Sequence, residues 1–281
     1  MGIGNALYNG LSGLNCYSAG ISVVSDNVAN ANTTGFKSNS IRFGDLVNSE
    51  YALRTNDSEG EGSGSMVLGI VTDFSQGILM DTSSWSDMAI SGKGFFIVKK
   101  PSADGEGRTF YTRDGTFHLD KDGYLVTQQG YRVQGYAAGE DGAPGGELSD
   151  IQITDPEDSK YIKFYVTTDG VITGIDTDGA EHALSMVGLA GFSNENGLVR
   201  NGGNLYTAGP EINLENIIYN GGDNATPEYF GEVMNSSIEG SNVDIAAEMV
   251  SMIIYQAGYN ANSKSITTSS ELLNTSINMI R

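Results

Sequence analysis

A mixed α and β architecture is predicted, with a discontinuous helical part built from both chain ends and β-rich domains between them. Three observations predict it. Apolar residues near each end recur in alternating steps of three and four, the signature of terminal helices that pair as a coiled coil. The middle carries alternating apolar patterns punctuated by Asp-Gly pairs. Glycine is abundant, at 38 of 281 residues, while proline stands at 5, which suits short strands and tight turns better than a disordered linker.

The N-terminal seam runs through Leu7, Leu11, Leu14, Ser18, Ile21, Ser25 and Val28, and a helix is expected over about residues 4–28. Gly10, Gly13 and Gly20 weaken that helix by roughly 1 kcal/mol each relative to alanine, so it needs packing partners. Asn30-Ala31-Asn32-Thr33-Thr34-Gly35 is turn chemistry that stops it. Residues 36–47 are mixed in pattern, and 57–65, rich in Gly, Ser and acid, read as an exposed flexible loop.

Strands are expected at 66–73, 88–90 and 94–98. A hairpin follows from the alternation over 108–119 and from Asp122-Gly123 ahead of Tyr124-Leu125-Val126. Residues 139–146 read as a boundary loop. A second block of strands, 162–166 and 171–175, is turned at Asp169-Gly170 and Asp178-Gly179, and 194–204 read as loop. The C-terminal seam collects Ile245, Met249, Met252, Gln256, Tyr259, Ser263, Ile266, Ser270, Leu273, Ile277 and Ile280. Its helix should begin near residues 242–244, with Ser241 or Asn242 as N-cap and Asp244 and Glu248 close to the positive helix end. The expected division is a helical domain of 1–40 and 241–281, a linker of 41–74, a β-rich domain of 75–140 and 205–240, and an inserted β domain of 141–204.

Charge and composition exclude several functions. A net charge of −20 and a pI of about 4.2 leave no phosphate-neutralising surface, so no nucleic acid is expected as partner. No run approaches the roughly 18 apolar residues of a membrane span, and no membrane insertion is expected. Residues 1–6 contain no Lys or Arg, unlike a Sec-type signal peptide. Cys16 is the single cysteine and reads as a small packing residue.

Candidate chemistry is sparse. Residues 59–64 are glycine-rich but lack the Lys-Ser/Thr of a phosphate-binding loop. Asp120-Lys121-Asp122-Gly123 and Asp176-Thr177-Asp178-Gly179 lack the remaining ligands of a calcium loop and read as hairpin turns. His118 and His182 are far apart in sequence, with no cysteine nearby to complete a zinc site. No catalytic, cofactor or metal residue is expected, and the chain is not expected to be an enzyme. An extracellular binding module would need an aromatic surface at Tyr161, Phe164 and Tyr165; a polysaccharide-cleaving enzyme is the third class.

Several motifs carry a family resemblance. Leu11-Ser12-Gly13-Leu14, followed by residues 24–37 (Val-Ser-Asp-Asn-Val-Ala-Asn-Ala-Asn-Thr-Thr-Gly-Phe-Lys), resembles the N-terminal signature of bacterial flagellar rod and hook proteins. Residues 240–244, Tyr255-Gln256, 259–264 and Ile266-Thr267-Thr268-Ser269 resemble the matching C-terminal signature. Between them, 72–77, 89–96 and 111–117 are similar to the family's β domain. Two departures stand out: Asp26 where the family often has Asn, and Ala257 where it often has Arg. Within the family, 72–77 and 266–271 are more similar to the hook subunit, whereas a segment as long as 46–68 is associated with the straight, stiff tube of the distal rod. The resemblance implies a hook subunit, with the distal rod subunit as alternative.

It further implies a helical homopolymer whose inner tube is formed by the terminal helices and whose outermost part is 141–204. The implied assembly residues are Leu7, Leu11, Leu14, Ile21, Val28, Asn30, Gly35, Phe36, Ile245, Met249, Met252, Tyr259, Ile266, Leu273 and Ile277. Implied partners are copies of the chain and other flagellar axial proteins, such as rod, hook-cap and hook-filament junction proteins. The implied location is the flagellum, reached through the flagellar type III export apparatus.

Overall fold

The N-terminal seam folds as α1 (Ile3–Ala29) and the C-terminal seam as α2 (Ile245–Met279). At about 1.5 Å per residue they are roughly 40 and 52 Å long. The computed structural model describes residues 3–47, 62–101, 107–138, 144–153, 161–210, 212, 218–220 and 230–279. The chain divides into a helical unit (Met1–Ala31, Ser38–Asp73 and Val243–Arg281) and a β unit (Asn32–Lys37 and Phe74–Asn242).

In the helical unit, α1 stops where expected. The Asn30 amide Nδ2 donates to the Asp26 carbonyl at 2.8 Å and satisfies one of the helix's terminal acceptors. The start of α2 differs from expectation. Asp244 is the N-cap, its Oδ1 accepting from the Ala246 and Ala247 amides at 2.9 and 3.3 Å. Asn242 is instead held by Ser75 within the β unit.

The stretch expected to be a linker, 41–74, contains most of an antiparallel hairpin of β1 (Asn39–Val47) and β2 (Gly62–Thr72). Residues 62–65, expected as loop, belong to β2. A tertiary contact overrides their loop-like composition: the Ser65 amide donates to Ser12 Oγ of α1 at 3.2 Å. Gly64 beside it adopts φ +97°, a conformation that suits glycine. Residues 57–61 lie outside the described residues.

The β unit opens with β3 (Leu79–Asp81), β4 (Met88–Ser91), β5 (Phe95–Lys99), β6 (Thr109–Thr112), β7 (Phe117–Leu119), β8 (Leu125–Thr127) and β9 (Arg132–Ala138). It continues with β10 (Pro144–Asp150), β11 (Tyr161–Val166), β12 (Val171–Asp176), β13 (Glu181–Val187) and β14 (Leu189–Gly191). A short 3-10 turn (Glu195–Gly197) then leads into β15 (Leu198–Gly202), β16 (Leu205–Ala208), β17 (Ile218–Tyr219), β18 (Glu232–Asn235) and β19 (Ser237–Glu239).

Most of these strands join one antiparallel sheet along the path β11-β12-β13-β9-β5-β6-β16-β15. The Asp-Gly pairs are turns as predicted, with Gly123, Gly170 and Gly179 at φ +75° to +81°. Two expected loops are partly strand. Residues 198–202 pair as β15 with β16, and 144–146 begin β10, which pairs with β9; residues 139–143 lie outside the described residues. Because β13 also pairs with β9, the segment 141–204 shares its sheet with 75–140. β18 and β19 return late in the chain to pair with β4 and β3.

The core of the β unit falls into two clusters. Met88, Ile90, Phe96, Val98, Leu125 and Ile172 anchor the larger one. Phe95, Tyr111, Phe192 and Tyr206 form the smaller, with edge-on ring contacts between 4.8 and 6.2 Å. Burial pushes the Tyr206 phenol up to about 12, with Arg200 opposing the rise and Glu239 adding to it. Below pH 10 the phenol is neutral in both states. Above it the unfolded chain ionises first, so the folded state holds more protons and stability falls as pH rises towards 12. The expected loss is about 2 kcal/mol. Urea midpoints measured on both sides of pH 10 should show it, and Tyr206→Phe should remove most of it.

Candidate assembly surface

The two terminal helices meet along glycines. A Cβ built on Gly10 would lie 2.7 Å from Ile266 Cγ1, and one on Gly13 would lie 2.7 Å from Asn262 Nδ2. On Gly20 it would come within 3.0 Å of the Tyr255 ring. In the reverse sense, one on Gly258 would come within 2.5 Å of the Tyr17 ring. Each step forward along α1 is matched by a step back along α2, so the pair is antiparallel. The glycines that weaken α1 as an isolated helix are the holes that receive α2 side chains.

A buried asparagine closes the far end of this seam. Asn27 is fully buried. Its Oδ1 accepts from the Asn39 amide at 2.9 Å, while Nδ2 donates to the Asn39 carbonyl at 2.8 Å and to Glu248 Oε1 at 2.9 Å. One side chain thus joins α1, β1 and α2. Tyr17, Phe43 and Tyr255 repeat the three-way join as a ring triangle with centroids 6.0 to 6.2 Å apart.

The predicted seam lies one residue away from the observed one on α1. Gly10, Gly13, Gly20, Val24 and Asn27 are buried, whereas Leu7, Leu14, Ile21 and Val28 are only half-buried and Leu11 is 51% exposed. On α2, Met252, Ile266 and Leu273 are half-buried, with Ile266 against Gly10. Ile245, Met249, Tyr259 and Ile277 stay exposed, as do Ile253 and Ile254 at 65 and 58%. Asn30 is half-buried just beyond α1. Gly35 and Phe36 do not join this face. They are buried in the β unit, with the Arg200 guanidinium 4.8 Å from the Phe36 ring centroid.

Periodicity of large apolar residues therefore finds the open face of α1 and misses the closed one. The closed face was legible only as glycines at 10, 13 and 20, which share one side of a helix. Asn27, Glu248, Tyr17 and Tyr255 had no comparable local signal. The hairpin adds further open apolar side chains, Leu68 and Ile70. In a chain otherwise so acidic, these exposed apolar side chains make a candidate interaction surface.

Other chemistry is thin among the described residues. They contain no group of three or more metal-ligating side chains, and no helix is long and apolar enough to cross a membrane. The aromatic surface a binding module would need is partly absorbed by packing, because Phe164 lies against Trp85 at 4.9 Å. The fold defines the class: a chain with paired terminal helices and a separate β-rich unit built from its middle.

Comparison with known proteins gives the family. Residues 7–37 match the family model described as flagella basal body rod protein. Residues 89–174 match the flagellar hook protein FlgE/F/G D1 domain, and 234–279 match the C-terminal model of flagellar basal body rod FlgEFG proteins. The flagellar basal-body rod protein FlgG of Bacillus subtilis is 32% identical, over 98% of this chain and 99% of that one. FlgG of Buchnera aphidicola subsp. Baizongia pistaciae is 34% identical over 95 and 96%. The flagellar hook protein FlgE of Borreliella burgdorferi is 39% identical, but over 47% of this chain and 31% of its own length. The chain belongs to the family of flagellar hook and basal-body rod proteins. It is a structural, non-enzymatic component of the bacterial flagellum.

Proposed function

We propose that this chain is the distal rod subunit of the flagellar basal body, polymerising with copies of itself into a helical tube. The observation that carries the reading is its end-to-end similarity to rod proteins named FlgG, which leaves almost no residue of either chain unmatched. The paired β1–β2 hairpin supports it, since a long segment between α1 and the β unit goes with a straight, stiff tube. On this reading the exposed apolar residues of α2, with Leu11 of α1, are covered by helices of neighbouring copies. Such contacts propagate because each joins one face to a different face of the next copy. Residues 141–204 would form the outer part, other axial proteins would cap the two ends, and export would use the flagellar type III apparatus.

A hook subunit is the second reading, favoured by the higher identity to a hook protein over 143 residues and by the motifs at 72–77 and 266–271. Electron microscopy of cells lacking the chain separates the two. A rod subunit leaves basal bodies without a complete rod; a complete rod that carries no hook would overturn the rod reading in favour of the hook.

A further inference from the structure

Asparagine is followed by glycine at four places, Asn9-Gly10, Asn196-Gly197, Asn201-Gly202 and Asn220-Gly221. This pair has a chemistry of its own. Glycine leaves the main-chain nitrogen unobstructed and the backbone free to turn, so that nitrogen can reach the preceding side-chain carbonyl. The sequence does not rank the four, and the triplet Asn-Gly-Gly even occurs twice, at 201–203 and 220–222. The fold separates them.

Three of the four are held. Asn9 and Gly10 lie within α1, where helical hydrogen bonding fixes the main-chain nitrogen, and Gly10 is buried under Ile266. Gly197 is buried as well: its amide donates to the Asn194 carbonyl at 3.3 Å, and a Cβ built on it would lie 2.8 Å from Ile212. The Asn220 side chain is fixed at both of its polar atoms. Oδ1 accepts from the Leu189 amide at 2.9 Å, and Nδ2 donates to the Val187 carbonyl at 2.8 Å.

Asn201 is different. It is the extra residue of a bulge in β15: Arg200 pairs with Tyr206 and Gly202 with Leu205, which leaves Asn201 without a partner across the strands. Asn201 and Gly202 are both exposed. The bond from Asn201 Nδ2 to Thr207 Oγ1 is stretched to 3.5 Å. Gly202 stands at φ +86°, with nothing within 4 Å of the position its Cβ would take. β15 also ends the path of the sheet, so the bulge can turn without disturbing the core.

We propose that Asn201-Gly202 is a site of spontaneous deamidation in the folded subunit. The Gly202 nitrogen gives up its proton and bonds to Asn201 Cγ. The Cγ–Nδ2 bond breaks, and the side-chain nitrogen leaves as ammonia. One water then opens the five-membered imide. Opening at Cγ leaves aspartate, whereas opening at the main-chain carbonyl leaves isoaspartate, whose backbone is longer by one carbon. Either product puts a carboxylate at the open cavity that Asn201 lines with Arg108, Gln129 and Tyr131. The inference does not depend on whether the subunit belongs to rod or hook.

The full-length chain is incubated at mildly alkaline pH, below its melting temperature, with a parallel sample in urea. Peptide mass mapping follows each asparagine, and an isoaspartate-specific methyltransferase scores the rearranged product. In the folded chain Asn201 should convert at least about tenfold faster than Asn9, Asn196 or Asn220, which react only after local opening. In urea Asn201 and Asn220 share a triplet and no longer differ in structure, so their rates should agree within about threefold. Isoaspartate should appear at position 201. The proposal is overturned if Asn201 lacks its lead over Asn220 in the folded chain, or keeps that lead in urea, which would make the rate a property of local sequence. It is equally overturned if aspartate alone forms, since direct hydrolysis of the side chain gives no isoaspartate.

Discussion

Replacing Gly13 with leucine should splay the terminal helices, although the same change would strengthen α1 in isolation. Leucine is the better helix former by about 0.8 kcal/mol. Against that gain stands the packing, where even the first added carbon would lie 2.7 to 2.9 Å from three atoms of the Asn262 side chain. Asn262 cannot swing aside freely, because its Nδ2 is bonded to the Gly258 carbonyl at 3.1 Å. The helices must separate, which also loosens Ile266 over Gly10 and Tyr255 over Gly20. Overpacking of this kind costs about 1–3 kcal/mol, so the clash exceeds the propensity gain. Gly4 supplies the control in the same helix, since nothing lies within 4 Å of the position its Cβ would take. Gly4→Ala should stabilise by up to about 1 kcal/mol. Thermal melting followed by the far-UV helix signal measures both, and a Gly13→Leu chain as stable as wild type would refute the glycine seam.

Changing Asn27 should cost more. Asn27→Ala removes three hydrogen bonds and leaves the Asn39 amide and carbonyl, with Glu248, short of partners in a half-buried place. At about 1 kcal/mol net for each hydrogen bond lost from a half-buried place, a loss of about 3 kcal/mol is expected. Asn27→Asp has nearly the same shape and can still accept from the Asn39 amide. It loses both donated bonds, however, and at neutral pH sets a second carboxylate against Glu248. It should therefore be no better than alanine. Calorimetry of the full chain decides it: an aspartate variant melting with wild type would show that the side chain fills space and nothing more. An exposed apolar position such as Ile254 gives the opposite pattern. Ile254→Asp should leave the melting of the monomer within about 0.5 kcal/mol while preventing polymerisation.

Much of the fold was legible because it is local. Terminal helices follow from three- and four-residue periodicity, and the hairpin turns at Asp122-Gly123, Asp169-Gly170 and Asp178-Gly179 from residues that suit positive φ. The family motifs were legible for a similar reason, being short runs read in order. The hairpin was not. Gly62 to Ser65 has the composition of a loop and becomes strand by pairing with β1 and lying against Ser12, neighbours distant in sequence. The caps divide the same way. Asn30 closes α1 through Asp26, one turn away, whereas Asn242 is drawn off to Ser75 and leaves the N-cap of α2 to Asp244.

By itself, then, the sequence determined the class: an acidic chain with amphipathic helices at both ends, a β-rich middle and the motifs of a flagellar axial subunit. Only the tertiary structure decided which face of α1 is closed. Apolar periodicity reports where large side chains recur, but close helix pairing is set by where side chains are missing, at Gly10, Gly13 and Gly20. It also decided that Asn27 and Glu239, a carboxylate buried between Lys37 and Arg113, are the polar centres of the two units. Their partners lie as many as 221 and 202 residues away along the chain, a distance over which no local pattern carries information, and only the folded backbone brings those charges and amides within hydrogen-bonding reach.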